Sequence, residues 1–490
     1  MAGIGFELRG AVAPDAGIVD RLRAWTAAGL ISSGPWFATV AVLLYLHLAA
    51  PFMARTEEYQ LFRGIVTYSF AFSLLLVGLV QMPITRKLAD QMWLRQHDRV
   101  LPGFVATLAA TACVQVPVGA WFVSLLGVGR GAGLLAVALY VVCTWTWVAL
   151  VWLGATRDYA SVLRAYAMGG GATVGATIVP ALLRTLTGDP EGRFLLDGLG
   201  GLLLVFTLGQ ATTLLLLCAA IARGVRPSDR RGPEALEGVA RFGALLLLGA
   251  LYNVGMWADK FVFWVVDGVT LVGPLRSHPL YDSCSFLAYA TVVPALALHL
   301  VRTETGFYER YRDFYDSISG GGTLREVRAA RDRMLATLRG SVVRLVRVQA
   351  WFSAAAIALA PEVLQRLGMP PAAVPVFRVL AVGAYFHVLF LLTLLVLLYF
   401  DRRATALRAV ATFAALNTIL PLGAALGDPG AYGVGYTLAA IGGLVVGFLG
   451  LQRDLARLEY LTFSGELSRL PQAEAPGVEG GCPASSPSHA

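Results

Sequence analysis

Apolar runs, each close to the length that crosses a bilayer, alternate with short polar segments along almost the whole chain. They fall near 24–50, 62–82, 101–126, 132–155, 166–187, 196–222, 240–266, 283–301, 348–366, 374–400, 405–427 and 431–451. A hydrocarbon core takes roughly 20 residues of helix, and backbone groups in lipid must be satisfied within the segment that carries them. The pattern therefore predicts an all-α polytopic membrane protein with about 12 transmembrane helices. No stretch shows the alternating segments of about ten residues that a transmembrane barrel needs.

The charges fix the orientation. Counting the N-terminus and every second loop collects 30 of the 39 Lys and Arg residues; the intervening loops hold 8, and Lys260 lies inside a span. By the positive-inside rule both ends lie in the cytoplasm, and an odd number of spans would destroy the alternation. The composition agrees: 57% of the residues are hydrophobic and 14% charged, against about 25% charged in soluble domains. The net charge of +8 is accounted for by the cytoplasmic loops, so no nucleic-acid partner is expected. The five cysteines form no CxxC, and neither a disulfide framework nor a metal site is indicated. Mixed charge over residues 1–23 argues against a cleavable signal peptide.

Two weak internal matches divide the chain. Gly34-Pro35-Trp36 in the first span resembles Gly255-Met256-Trp257 in the seventh, and Leu163-Arg164-Ala165 before the fifth resembles Leu407-Arg408-Ala409 before the eleventh. Together they predict two pseudo-repeated six-helix bundles, 24–222 and 240–451. A cytoplasmic N-terminus (1–23), a linker (223–239) and a tail (452–490, disordered after about 471) complete the chain. The long cytoplasmic loop 302–347 differs from the others. Phe307, Tyr311, Phe314, Tyr315 and Ile318 recur at helical spacing, Gly320-Gly321-Gly322 breaks that helix, and Thr323 with Glu326 forms a capping-box pattern that opens another. Two amphipathic basic helices are expected there, lying on the membrane surface or exposing Phe307, Tyr311, Phe314 and Tyr315 for a docking partner.

Motifs for ATP hydrolysis (GxxxxGK[ST]), metalloprotease or serine hydrolase chemistry are absent, and no cofactor is expected. Polar groups within spans are costly and therefore informative. Asp259 and Lys260 are the foremost pair. Neighbours on a helix point about 100° apart, so each is expected to need another partner rather than its neighbour. Trp36, Tyr252, Trp257 and Trp264 lie on or near the pseudo-equivalent first and seventh spans, where aromatic faces suit the apolar C–H faces of sugars. With Asp259 and Lys260 they are expected to line a hydrated path between the halves. Gly34-Pro35 removes a backbone hydrogen bond and is expected to kink the first span.

Several strings resemble one known family. Met1-Ala-Gly-Ile-Gly-Phe-Glu-Leu-Arg9, Gly29-Leu-Ile-Ser-Ser-Gly-Pro-Trp36 and the stretch Tyr281–Gly322, with Thr303-Glu304-Thr305 and Phe314-Tyr315-Asp316, look like the inner-membrane Pel exopolysaccharide transporters, PelG. Trp257-Ala-Asp-Lys260 is a looser match. The resemblance implies the multidrug/oligosaccharidyl-lipid/polysaccharide flippase superfamily. It implies a bacterial inner-membrane transporter of an amino-sugar polymer. The implied partners are a cytosolic glycosyltransferase and membrane proteins of the same system, one a cyclic-di-GMP receptor. The residues themselves leave an ion-coupled exporter of drugs or lipid-linked oligosaccharide as an alternative. They disfavour a membrane glycosyltransferase, because the paired acids Glu57 and Glu58 sit in too short an outer loop. They leave open whether chain elongation or an ion gradient at Asp259 supplies the energy.

Overall fold

The computed structural model describes residues 18–156, 158–187, 198–224, 242–302, 306–427 and 429–467. The expected cytoplasmic N-terminus before residue 18, nearly all of the linker 223–239, Thr303-Glu304-Thr305 and the tail after 467 lie outside the described residues.

Helices occupy every predicted span. In the first half they are α1 (Ile18–Ala49), α2 (Thr56–Trp93), α3 (Val100–Ser124), α4 (Arg130–Thr156), α5 (Tyr159–Thr187) and α6 (Gly198–Gly224). The second half opens with α7 (Gly243–Val266) and an antiparallel hairpin, β1 (Val269–Val272) and β2 (Leu275–Ser277). It continues with α8 (Pro279–Ala290), α9 (Val293–Arg302), α10 (Tyr308–Ser319), α11 (Leu324–Arg366), α12 (Ala373–Tyr399), α13 (Arg403–Ala425), α14 (Val434–Ala456) and α15 (Leu458–Leu467). Ten spans among the described residues are long and apolar enough to cross a membrane. In α1 the described apolar stretch, Gly34–Ala49, is shorter than that measure requires. Large apolar side chains on the outside, such as Leu48, Trp121, Leu134 and Trp351, suit a surface that meets lipid.

Each half is built on the same packing plan. In the first half α1 packs on α5, α5 and α4 on α6, and α2 and α3 on α4. In the second, α7 packs on α13, α13 and α12 on α14, and α8 and α11 on α12. The weak repeat in the sequence has a structural counterpart. Arg164 Nε donates to the Ala160 carbonyl at 3.3 Å while its Nη2 reaches Ser161 Oγ at 3.0 Å. Arg408 does the same to the Ala404 carbonyl at 3.3 Å and Thr405 Oγ1 at 3.2 Å. The halves meet along α2 on α7 and along α1 on α9, an exchange of partners that a pseudo-two-fold axis produces.

Three features depart from the expected pattern. The eighth span is broken at Thr291–Val292. Pro294 cannot donate back to the Ala290 carbonyl and disfavours helical geometry at Val293, and Gln349 Nε2 of α11 donates to the freed Thr291 carbonyl at 2.9 Å. The hairpin, a loop in the expected pattern, crosses to the first half: Leu275 is buried against α2, and the Arg276 amide donates to Tyr68 Oη at 3.2 Å. At its base His278 Nδ1 accepts the Tyr281 amide at 3.1 Å, so Nε2 carries the proton toward Asp267 Oδ2 at 3.0 Å. The hydroxyl of Tyr432 donates to the same oxygen, and these bonds hold the Asp267 carboxyl below the usual carboxylate range.

The third departure concerns the long loop. Its second helix does not lie on the surface apart from the ninth span but runs into it as α11, 43 residues long, about 65 Å at 1.5 Å per residue. The capping box at its start is formed, with the Thr323 amide donating to Glu326 Oε2 at 2.7 Å. The aromatic stripe is not exposed. Phe307 and Phe314 are fully buried, and Tyr311 Oη donates to the Tyr399 carbonyl at 3.1 Å, with the Tyr315 ring tilted against it. The C-terminal end of α12 offers Tyr399 and Phe400, so the stripe is covered by its own chain. Glu459 of α15 ties down the polar side through Arg331 at 2.6 Å and Arg328 at 3.5 Å.

The charge asymmetry makes sidedness testable. Reporter fusions after Arg99 and Gly321 should score cytoplasmic, and fusions near Gly129 and Arg276 periplasmic. Opposite results at two of these sites would sink the twelve-span arrangement.

Candidate functional site

Two neighbouring constellations stand out, and α7 contributes to both. The first is an aromatic band across the junction of the halves. Tyr68 and Phe72 lie one turn apart on α2, and Trp257, Phe261 and Trp264 repeat at helical spacing on α7. Tyr68 stacks on Trp264 with centroids 4.6 Å apart, and Phe72 on Phe261 at 5.7 Å. Phe122 of α3 extends the band by stacking on Tyr68 at 5.7 Å. Beside the contact of α1 with α9, Trp36 of α1 stacks on Phe286 of α8 at 5.0 Å. Trp264 Nε1 donates to both Asp282 oxygens, at 2.9 and 3.0 Å, which couples the band to α8. Phe72 and Phe286 keep substantial exposure, while Trp36, Trp257 and Phe261 are half-buried, so the band offers ring faces and edges to a passing molecule.

The second constellation is a charge pair. Asp259 is fully buried and Lys260 is 8% exposed. Contrary to the expectation from helix geometry, the two pair with each other: Lys260 Nζ lies 3.0 Å from Asp259 Oδ1 and 3.1 Å from Oδ2. The 100° separation applies at Cβ, and the four-carbon lysine stem is long enough to curl back across it. Lys260 Nζ also donates to the Met256 carbonyl at 3.3 Å. Asp259 gains two neutral donors, Tyr281 Oη at 2.7 Å and Asn417 Nδ2 at 3.3 Å. Asn417 Nδ2 further reaches the Gly255 carbonyl at 2.8 Å. The rings of Tyr289 and Tyr436 lie 5.2 and 5.8 Å from the ammonium, where their faces favour a cation. A charge in the middle of a span costs about 2.5–3.5 kcal/mol on insertion scales, and this shell offsets that cost with bonds on every donor and both oxygens.

The set expected to face one path is thus divided. Trp36 and Trp257 stand at the junction with part of their surface open, and Trp264 is buried there between Tyr68 and Asp282. Asp259 and Lys260 lie inside the second bundle, among α7, α8, α13 and α14, rather than between the halves. Tyr252 also points inward, its hydroxyl 3.2 Å from His387 Nε2 of α12. The crevice beside the pair, lined by Asp259, Ser285, Tyr289, Leu380, Ala384 and Tyr436, leaves no room for a water molecule. Pro35 sits within α1, where Thr39 Oγ1 donates to its carbonyl at 2.9 Å, and Gly34 packs against Leu163 of α5. Sequence reasoning missed Tyr68, Phe72, Phe122, Phe261 and Phe286. The helical spacing of Tyr68 with Phe72, and of Trp257 with Phe261 and Trp264, was the available signal. No cluster of metal-ligating side chains occurs among the described residues.

This arrangement of paired bundles is similar to the fold of solved transporters of the MATE family and MOP superfamily. An outward-facing multidrug resistance MATE family transporter of the MOP superfamily matches with a TM-score of 0.56 and 16% identity, over 88% of this chain and 96% of that one. A MATE in complex with MaL6 matches with a TM-score of 0.57 and 14% identity, over 89% and 97%. A MOP superfamily transporter from Pyrococcus furiosus, described as having a binding pocket of reverse polarity that suggests a different function, matches with a TM-score of 0.54 and 15% identity, over 88% and 95%. At such identities the likeness is one of fold. Residues 1–463 match the family model of PelG, "Putative exopolysaccharide Exporter (EPS-E)", and the chain belongs to that family. No curated protein matches the sequence. The protein is accordingly a multi-pass membrane transporter.

Proposed function

We propose that this protein carries a Pel-type amino-sugar exopolysaccharide from the cytoplasm to the periplasm across the bacterial inner membrane. It hydrolyses no ATP itself, and a cytosolic glycosyltransferase feeds it chain. The family supports the exopolysaccharide; the observation that carries the reading is the aromatic band at the junction of the halves. A glycan is polar at its hydroxyls and apolar at its ring faces, and stacked aromatics with open edges suit the second property without binding so tightly that the polymer stalls. Trp36 and Trp257 are the contacts we assign to the passing sugar, with Tyr252, Asp259, Lys260 and Trp264 shaping the wall behind them. The synthase and the membrane partners, a cyclic-di-GMP receptor among them, would meet the cytoplasmic face on the polar side of α10, where the Arg310–Asp313 and Arg312–Asp316 pairs lie exposed.

Trp36→Ala and Trp257→Ala should each cut secreted polymer several-fold at unchanged protein levels in the membrane. A cysteine at 257, in a background lacking the native cysteines, should react with a water-soluble thiol reagent. Normal secretion by both variants together with an unlabelled cysteine would place the path elsewhere.

A further inference from the structure

We propose that Lys260 is a built-in replacement for a coupling cation, so that Asp259 is closed to sodium and to protons while the lysine is in place. The proposal goes beyond the transport reading, and its stability test does not depend on what is transported. A carboxylate buried in a span can exchange a cation only if it has a free oxygen and a seat beside it. Here neither condition is met. Oδ1 is taken by Lys260 and Asn417, and Oδ2 by Lys260 and Tyr281. The ammonium spends its three protons on Asp259 and on the Met256 carbonyl, the kind of main-chain oxygen that otherwise completes the shell of a bound alkali ion. The crevice beside the pair has no space for a water molecule, let alone a hydrated ion.

The surroundings fit a permanent cation better than an exchangeable one. Aromatic faces of Tyr289, Tyr436 and Trp257 lie 5.2, 5.8 and 6.0 Å from the ammonium. Such faces hold an alkylammonium through the ring quadrupole. Asn417 Oδ1 is buried and without a partner, as are Ser285 Oγ, Tyr289 Oη and Tyr436 Oη around the same crevice. Removing the lysine head group would therefore expose an oxygen-lined seat made of Asp259, Asn417 Oδ1 and the Met256 carbonyl. That seat could be filled by sodium or, at Asp259 itself, by a proton. The other titratable groups facing it are Tyr281, Asp282 and Tyr289 from α8, His387 from α12 and Tyr436 from α14. An ion gradient acting at Asp259 would require Lys260 to leave, so on this proposal the drive for transport comes from elsewhere.

The test is the unfolding midpoint of the purified full-length chain in detergent. It is measured in sodium chloride against choline chloride at equal ionic strength, and again along a pH series. The wild type should show no sodium-specific shift and no pH response that Asp259→Asn removes. Lys260→Ala should acquire a rise of several degrees in sodium, or a rise as pH falls, the two arms separating sodium from the proton. Asp259→Asn/Lys260→Ala should lose whichever response appears. If Lys260→Ala does not fold, Lys260→Met reads the same contrast with most of the side-chain volume retained. A sodium-specific stabilisation of the wild type that Asp259→Asn removes would overturn the proposal, as would a Lys260 variant that folds and responds to neither cation.

Discussion

Asp259→Ala should lower the stability of the protein by about 3–5 kcal/mol, the cost of leaving one partner of a buried ion pair uncompensated, and its level in the membrane should fall with it. The reason is the position of the pair. Lys260 is only 8% exposed, and the aromatic rings of Tyr289, Tyr436 and Trp257 lie against its ammonium. Without Asp259 the ammonium keeps one bond, to the Met256 carbonyl, and Tyr281 and Asn417 lose an acceptor. Asp259→Asn/Lys260→Met, which removes both charges, should recover most of the loss, because a neutral pair of similar volume incurs no desolvation cost. Tyr281→Phe, which removes one hydrogen bond to a charged group, should cost about 1.5–3 kcal/mol. Thermal unfolding in detergent, read beside immunoblots of the membrane fraction, ranks the three. An Asp259→Ala protein as stable as the wild type would mean that the pair is not held as described.

What the sequence made legible follows from where its signals are strong. Helix positions were readable because an apolar run of span length has few other solutions in lipid. The capping box at Thr323 and Glu326 was readable because it is a local reciprocal bond, and it is formed. The match of Leu163-Arg164-Ala165 with Leu407-Arg408-Ala409 was faint in letters, yet Arg164 and Arg408 make the same two bonds. What stayed hidden was mostly direction. A helix in a bilayer is apolar towards lipid and towards its neighbours alike, so its pattern does not say which side is inside. For that reason Asp259 and Lys260 were assigned to the gap between the halves when they lie within the second. Phe307 and Phe314 misled for a related reason: an amphipathic stripe states that a face needs cover, not whose surface covers it. Two departures did carry a signal. Pro294 marks the break in the eighth span, and β-branched residues around Gly273-Pro274 mark the hairpin.

The junction itself yields the other large expected effect: Gly249→Ala should abolish secretion of the polymer or reduce it by more than tenfold. The crossing of α2 and α7 is a glycine-on-glycine contact. A Cβ built at Gly249 would lie 2.2 Å from the Gly78 carbonyl oxygen, and the obstacle is main chain, which cannot rotate away. The helices would have to separate, and overpacking of this kind costs about 1–3 kcal/mol. The separation also disturbs function, since Tyr68–Trp264 and Phe72–Phe261 hang from the same two helices further along. Their stacks at 4.6 and 5.7 Å depend on that spacing. Gly78→Ala should have a smaller effect: the Asn253 amide, 2.4 Å from its Cβ, can swing aside at the expense of its 3.0 Å bond to the Gly249 carbonyl, and only the Asn253 Cβ at 2.9 Å then calls for a small backbone shift. Gly175→Ala, at a helical position with nothing within 4 Å, should be neutral or mildly stabilising. Secreted polymer per unit of membrane protein separates the three. If Gly249→Ala secretes as well as Gly175→Ala, the close crossing of α2 and α7 has no part in transport and the aromatic band does not depend on it.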